Sequence, residues 1–397
     1  MIPEVRKQYN QYFTEARYQQ FLDALHSYYN FHIKFRVAET PVFLDATFKG
    51  KLLSASDAII AFLMRTDFKQ ITERAIPGHL RVPSEDDRPL FLALDFAIVR
   101  DEHHQLLPQL IEMQGFPSLY GWQDFLANRF REHFPIPAHL HSHFGLTSEQ
   151  YRQLLKDTIM GDHDPEQVIL LEIDPLNQNT AIDFIVTREY IGIEPVHIGD
   201  LVREGNKLFY HRNGRKTRVK RIYNRVIFDE LATRKDLSLD FNLTEDVDVE
   251  WAGHPNWFFR ISKYTMPFIK SSFVPECKFL TEYSVFPDDL ENYVLKPLFS
   301  FSGTGIRFHV TKADLDAIPE NEYPNYLLQR KVQYEPVIQA PDGLVKSEIR
   351  LLFIWPKGEL RPRLVTNLAR LSRGEMIGVK FNKNKTWVGG TVAFFEE

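Results

Sequence analysis

Apolar side chains recur along the first third of the chain at two periods. Tyr18, Phe21, Leu22, Leu25 and Tyr29 keep a 3.6-residue spacing and predict an amphipathic helix. Phe35, Val37 and residues 41–44 read as extended chain, and Ser56 predicts the cap of a helix whose apolar face carries Ile59, Ile60, Leu63 and Met64. Residues 90–99 and 109–113 predict two strands, joined by the polar turn Arg100-Asp101-Glu102-His103-His104. A helix over 119–133 follows, and Thr147-Ser148-Glu149-Gln150 is a capping box that opens another.

Beyond Gly161 the pattern changes. A β-rich run at 168–173, a helical run at 180–190 and a strand at 194–198 predict a β-α-β unit and hence a small parallel layer. Residues 208–210 and 219–226 flank Asn213-Gly214 and read as a hairpin. From Trp251 onward helices and strands mix again, with strands expected at Val294, Tyr326 and Ile349. The fold class is therefore α+β with a small α/β subdomain, divided as 1–160, 161–245 and 246–397.

Composition narrows the function classes. With 397 residues, 44% of them apolar, the chain buries a substantial core, and its net charge of −5 gives no general attraction to nucleic acid or anionic membranes. The single cysteine, Cys277, excludes an intrachain disulfide and reads as a packed thiol. No apolar run is long enough to span a bilayer, so a cytoplasmic protein is expected.

Two segments carry candidate chemistry. Tyr293-Val294-Leu295-Lys296-Pro297 reads as a buried strand ending in a lysine, followed by Ser302-Gly303-Thr304-Gly305. Glycines let backbone N–H groups approach phosphate oxygens, and a lysine adds a compact positive charge, although such a loop also suits a plain hairpin turn. Upstream, Asp95 lies in the first predicted strand, with Glu112 and Gln114 in the second. Alternation puts Glu112 and Gln114 on one face, and three oxygen-bearing side chains there suit a hard cation.

Together these segments resemble the ATP-grasp ligases. Lys296-Pro297 with its glycine loop is similar to their phosphate-covering loop. Asp95-Phe96 followed by Ile111-Glu112-Met113-Gln114 is similar to their metal strands. The metal strands come first here, an inversion that resembles the circularly permuted branch containing glutathionylspermidine synthetase and eukaryotic glutathione synthetase. Pro117-Ser118-Leu119-Tyr120 is likewise similar to a stretch of the former. Two positions depart from the family pattern: Ala93 stands where the synthetases carry an arginine, and Gln114 where they carry asparagine.

The resemblance implies an ATP-grasp fold in permuted order, with ATP and Mg²⁺ as cofactors and small carboxylate and amine substrates, peptide-like or polyamine. It implies that Lys296 contacts the α- and β-phosphates and that Ser302, Gly303, Thr304 and Gly305 close over them. Gln329, Lys331 and Val332 would read the adenine edge, and Glu335 the ribose. Asp95, Glu112 and Gln114 would hold the metal. Arg350, Arg370 and Arg373 would meet γ-phosphate or carboxylate, and Arg225 the substrate. A non-catalytic relative that binds nucleotide or a protein partner is the alternative, pointed to by Ala93 and Gln114.

Other features compete for a role. The basic run from Arg212 to Arg221 suits a solvated hairpin tip better than a nucleic-acid surface, since aromatics are not interleaved with it. His139, His141 and His143 alternate, yet Pro135 and Pro137 predict an irregular connection there rather than a metal site.

Overall fold

The largest sheet is assembled from both ends of the chain. In the computed structural model, which describes residues 1–298, 305–375, 377 and 381–397, β2 (Phe91–Arg100) and β3 (Leu106–Gln114) join four strands from the last third. These are β15 (Pro336–Ala340), β16 (Gly343–Ile354), β17 (Arg363–Ser372) and β18 (Gly389–Thr391). The order is β18-β17-β16-β2-β3, with β15 also on β16, and every pairing is antiparallel. Alternation explains why β2 is central. Leu92, Leu94, Phe96 and Ile98 enter one core, Phe91 and Ala93 the other, and Asp95 continues the second face.

Helices α1 (Pro3–Tyr12), α2 (Glu15–Tyr28), α3 (Ala46–Leu63), α4 (Phe68–Ile71) and α5 (Tyr120–His133) contribute to the first core. The predicted cap at Ser56 is corrected: the cap of α3 lies eleven residues earlier, where Asp45 accepts the N–H of Phe48 at 2.8 Å. Ser56 is interior and donates to the Leu52 carbonyl at 2.8 Å. Six buried apolar residues, Phe48, Leu52, Ala55, Ile59, Ile60 and Leu63, outweigh that local cap signal.

The expected parallel layer is present. Strands β5 (Val168–Glu172), β6 (Glu194–His197), β10 (Arg221–Asn224) and β11 (Glu250–Ala252) lie in the order β11-β10-β5-β6, all parallel. The capping box at Thr147 opens α6 (Ser148–Met160), and α7 (Ala181–Ile191) carries the chain from β5 to β6. After β10, α8 (Phe228–Thr233) leads away from the sheet.

Strands β7 (Val202–Glu204), β8 (Lys207–Arg212) and β9 (Arg215–Val219) form a separate antiparallel sheet. Asn213 and Gly214 turn it with φ of 50° and 75°, the positive values a tight two-residue hairpin requires. The second arm is shorter than predicted: it ends at Val219, and 221–224 leaves for the parallel sheet.

A third unit, β12 (Cys277–Phe279), β13 (Tyr293–Pro297) and β14 (Tyr326–Arg330), has the order β12-β14-β13 and its own small core around Leu280, Leu295, Leu315 and Leu328. Finally β19 (Ala393–Glu396) pairs with β1 (Val42–Leu44) and β4 (Leu140–His141), fixing the C-terminal strand beside the N-terminal region. Among the described residues no helix is long and apolar enough to cross a membrane.

Candidate functional site

Register brings the distant charged residues onto one face of the large sheet. Asp95 lies opposite Arg350 of β16 on one side and Glu112 of β3 on the other. Glu348 lies opposite Arg370 of β17, and Gln114 opposite Ala93. Between Asp95 and Phe96 the β2–β3 register shifts, so Ile111 is the extra residue. Such a bulge re-aims neighbouring side chains, and here it falls beside Glu112.

The carboxylates are unequally engaged. Arg350 grips Asp95 with two hydrogen bonds, Nε to Oδ1 and NH2 to Oδ2, both 2.6 Å. Arg370 donates to Asp95 Oδ2 at 2.7 Å and to Glu348, whose other oxygen accepts from Tyr334 at 2.7 Å. Burial opposes charge on Asp95, yet the paired guanidinium groups of Arg350 and Arg370 hold its carboxyl below the ordinary range. Burial pushes the Glu348 carboxyl upward, against the pull of Arg370.

Glu112 and Gln114 are half-buried and make no hydrogen bond or ion pair with another described residue. As two unengaged oxygen donors on one face they fit a magnesium ion, which commonly takes one or two protein carboxylates and completes its shell with water and phosphate. Asp95 was expected to complete the set; both its oxygens are turned instead to arginines. Among the described residues no group of three His, Cys, Asp or Glu side chains is arranged to hold a metal.

The lysine strand faces this surface. Lys296 in β13 is buried and donates from Nζ to Gln329 Oε1 of β14 at 2.7 Å. Burial lowers its pKa, while Glu112 and Glu348 are among the charges that favour its ammonium form. Beyond Pro297 the chain returns at Gly305, where φ is +75° and an added Cβ would stand 3.0 Å from the Pro297 ring. Leu295 and Arg307 then exchange backbone hydrogen bonds of 3.0 Å. Ser302, Gly303 and Thr304 lie outside the described residues.

Residues 331–335 bridge the two sheets. The N–H of Lys331 meets the Asn292 carbonyl at 2.8 Å, and that of Glu335 meets Ile98 on β2 at 2.8 Å. Val332 lies half-buried between them. The Glu335 carboxylate is held 2.9 Å from Arg100. Arg373 stands apart from the cluster, bonded to Asp342 in the β15–β16 turn.

Lys263, which sequence reading did not single out, has charged neighbours in the same cluster. Glu112, Lys296 and Asp229 are among its electrostatic neighbours, and burial, with help from Lys296, brings its pKa down to about 8. It is placed by a close backbone approach: a Cβ on Gly115 would lie 2.4 Å from the Trp257 carbonyl, and the Gly115 N–H reaches Ile261 at 3.2 Å. The end of β3 is thereby locked to the segment leading into Lys263. A lysine inside the aromatic-rich segment Trp257–Phe268 was the available signal.

Arg225 lies in the parallel layer, buried, with NH1 2.8 Å from Asp183 and its guanidinium over the rings of Phe184 and Phe116 at 4.9 and 5.7 Å. Phe116 follows Gln114 by two residues, so this arginine adjoins the end of the predicted metal strand.

The competing features resolve separately. In the basic run, Arg212, Arg215, Lys216, Arg218 and Arg221 face Glu194, Glu166, Glu204, Asp248 and Glu250 respectively. His143 turns to Asp124 at 2.9 Å and His141 to Glu397 at 3.2 Å, so these two serve different partners. Burial pushes the Cys277 thiol up to about 12, the behaviour of an inert packed thiol. Surface depressions of about 560 and 600 Å³ flank the β7–β9 sheet and share no residue with the charged cluster.

No family model and no curated protein matches the chain by sequence. Among solved structures, a glutathione synthetase-like effector from Globodera pallida in its apo form is similar, with a TM-score of 0.59. The match covers 97% of each chain at 10% sequence identity. That likeness extends a glutathione synthetase-like fold over nearly the whole chain, and at this identity it carries the fold alone.

Proposed function

We propose that this protein is a circularly permuted ATP-grasp ligase that uses Mg·ATP to join a carboxylate to an amine. The observation that carries the reading is Lys296, buried at the end of β13 with its ammonium bonded to the neutral Gln329 amide and with Glu112 of the large sheet among its charged neighbours. A buried ammonium whose hydrogen bond goes to a neutral amide costs free energy that a bound polyphosphate would offset. Permutation is supported by chain order: β2 and β3 precede the lysine strand but share a sheet with β16 and β17, which follow it.

In this reading Lys296 and Lys263 hold the phosphates, while Gln329, fixed by its bond to Lys296, and residues 331–332 border the adenine. Glu335 borders the ribose. Glu112 and Gln114 would hold the magnesium, which screens phosphate charge when bound. Arg350 and Arg370, anchored on Asp95 and Glu348, present a preorganised positive surface that needs no rearrangement as charge moves. The substrate carboxylate attacks the γ-phosphorus and ADP leaves; the amine then displaces phosphate from the acyl phosphate, forming the amide. The saturation of Asp95 by arginines favours a second reading, a relative that binds nucleotide without turnover.

Titration of Mg·ATP against the wild type and Lys296→Ala tests the site. Losing one charge-assisted contact costs roughly 1.5–3 kcal/mol, so affinity should fall about ten- to a hundredfold. Equal affinities would sink the nucleotide site. ADP release with pooled carboxylates and amines separates the readings, since nucleotide binding with no turnover favours the second.

A further inference from the structure

The carboxyl edge of the parallel sheet holds a buried acid that the proposed chemistry does not use. From β5 the chain crosses through α7 to β6 on one side, while β10 flanks β5 on the other. Ligands of open parallel sheets bind outside the carboxyl ends of strands at such a reversal. Glu172 is the last residue of β5 and only 5% exposed.

Its neighbours are set by register. Leu171 lies opposite Asn224, and the ladder continues as the Arg225 N–H meets the Leu171 carbonyl at 2.9 Å, bringing Arg225 beside Glu172. On the other side Glu172 lies opposite His197, whose Nδ1 accepts the Asp174 N–H at 2.9 Å. Arg225 spends its charge on Asp183, and its buried Nε has no hydrogen-bond partner among the described residues.

Glu172 Oε1 accepts the Ile173 N–H at 2.7 Å; Oε2 has no hydrogen bond from a described residue. Glu230 of α8 is a charged neighbour, and Gln178 ties it to the strand end, donating to the Ile173 carbonyl at 2.8 Å and to Glu230 at 2.7 Å. Burial, with Glu230 adding and Arg225 opposing, pushes the Glu172 carboxyl up to about 8.

We infer that Glu172 and Glu230 form a seat for a primary ammonium group. That this group belongs to the amine substrate rests on the ligase reading above. Glu172 forms the floor and half-buried Glu230 the mouth. The proton that Glu172 carries at neutral pH leaves to solvent as the ligand's ammonium takes its place. An anion is disfavoured there, because Arg225 is already neutralised by Asp183 and Glu230 repels it. The same short helix adjoins the lysine cluster: Asp229, next to Glu230 on α8, is a charged neighbour of Lys263.

Calorimetric titration with glycinamide, an amine without a carboxylate, and N-acetylglycine, a carboxylate without an amine, tests this at neutral pH. Each is run in two buffers of different protonation enthalpy. Glycinamide should bind the wild type with release of nearly one proton. Glu172→Gln imitates the protonated acid and so retains the fold; it should bind about tenfold more weakly or worse, with no proton released. N-acetylglycine should not bind. Absence of glycinamide binding, preference for N-acetylglycine, or unchanged affinity and proton release in Glu172→Gln each overturn the seat. Glycinamide binding that survives in a protein with no affinity for ATP sinks the ligase reading and leaves the seat; the converse sinks the seat alone.

Discussion

Asp95 and Glu172 are both buried strand carboxyls with an arginine on, or just past the end of, the neighbouring strand, yet the structure treats them oppositely. Arg350 meets Asp95 with a two-pronged bond and Arg370 adds a third contact, so this acid stays ionised. Beside Glu172, Arg225 turns away to Asp183, and burial leaves the acid holding its proton. The contrast shows that a buried charge is kept only where its partner is uncommitted. It also separates two kinds of position: a fixed ionic platform under the proposed phosphates, and a proton-bearing group that a cation could replace.

Breaking the platform should give the largest effect. Arg350→Ala leaves Asp95 buried with Arg370 as its remaining partner, a change expected to cost roughly 3–5 kcal/mol in urea unfolding. Arg350→Lys should recover only part of that, since a point charge cannot restore the forked geometry. An Arg350→Ala protein as stable as wild type would remove the platform from the argument.

The Glu172 side of the contrast predicts a pH dependence. A folded-state pKa of about 8 lies above the ordinary Glu value, so the folded state holds a proton that the unfolded chain has lost. The associated stability is fully present below the ordinary Glu pKa and is lost as pH rises through 8. On the order of 5 kcal/mol should disappear across that window in the wild type. Glu172→Gln should flatten this part of the curve while leaving stability near pH 5 almost unchanged. Identical pH profiles for the two proteins would mean that Glu172 is ionised like Asp95 and the contrast is false.

Much of the platform was legible in the sequence because its strands carry strong local signals. Asp95 and Arg350 are 255 positions apart, yet each sits in an apolar alternating run, and the metal-strand and lysine-strand resemblance placed both in one site. What the pattern does not encode is which polar group takes which partner. Asp95 read as a ligand because its own strand says nothing about the arginines that register puts opposite it. Glu172 was hidden for a related reason: Val-Ile-Leu-Leu-Glu reads as a buried strand, and only the crossover through α7 makes its end a crevice. Lys263 has no motif at all, and the backbone contact of Gly115 with Trp257 that positions it is long-range. The Ser56 cap failed in the opposite direction, where a locally plausible signal lost to the burial of an entire helix face.

Lys263 gives the smallest effect and the finest division between platform and titrating group. Its pKa of about 8 in the free protein means that its ammonium form is nearly complete at neutral pH and lost above it. Bound phosphate favours the charged form, so binding above pH 8 must be accompanied by proton uptake. Nucleotide affinity should therefore hold steady below pH 8 and fall as pH rises through it, by at most about tenfold per unit. Lys263→Met should bind more weakly at neutral pH but lose most of that slope, as read by titration from pH 7 to 9. Arg350 and Arg370 cannot produce such a slope, because guanidinium groups stay charged throughout that range. A slope that persists unchanged in Lys263→Met would assign the titration to Lys296 and return Lys263 to the packing of its apolar segment.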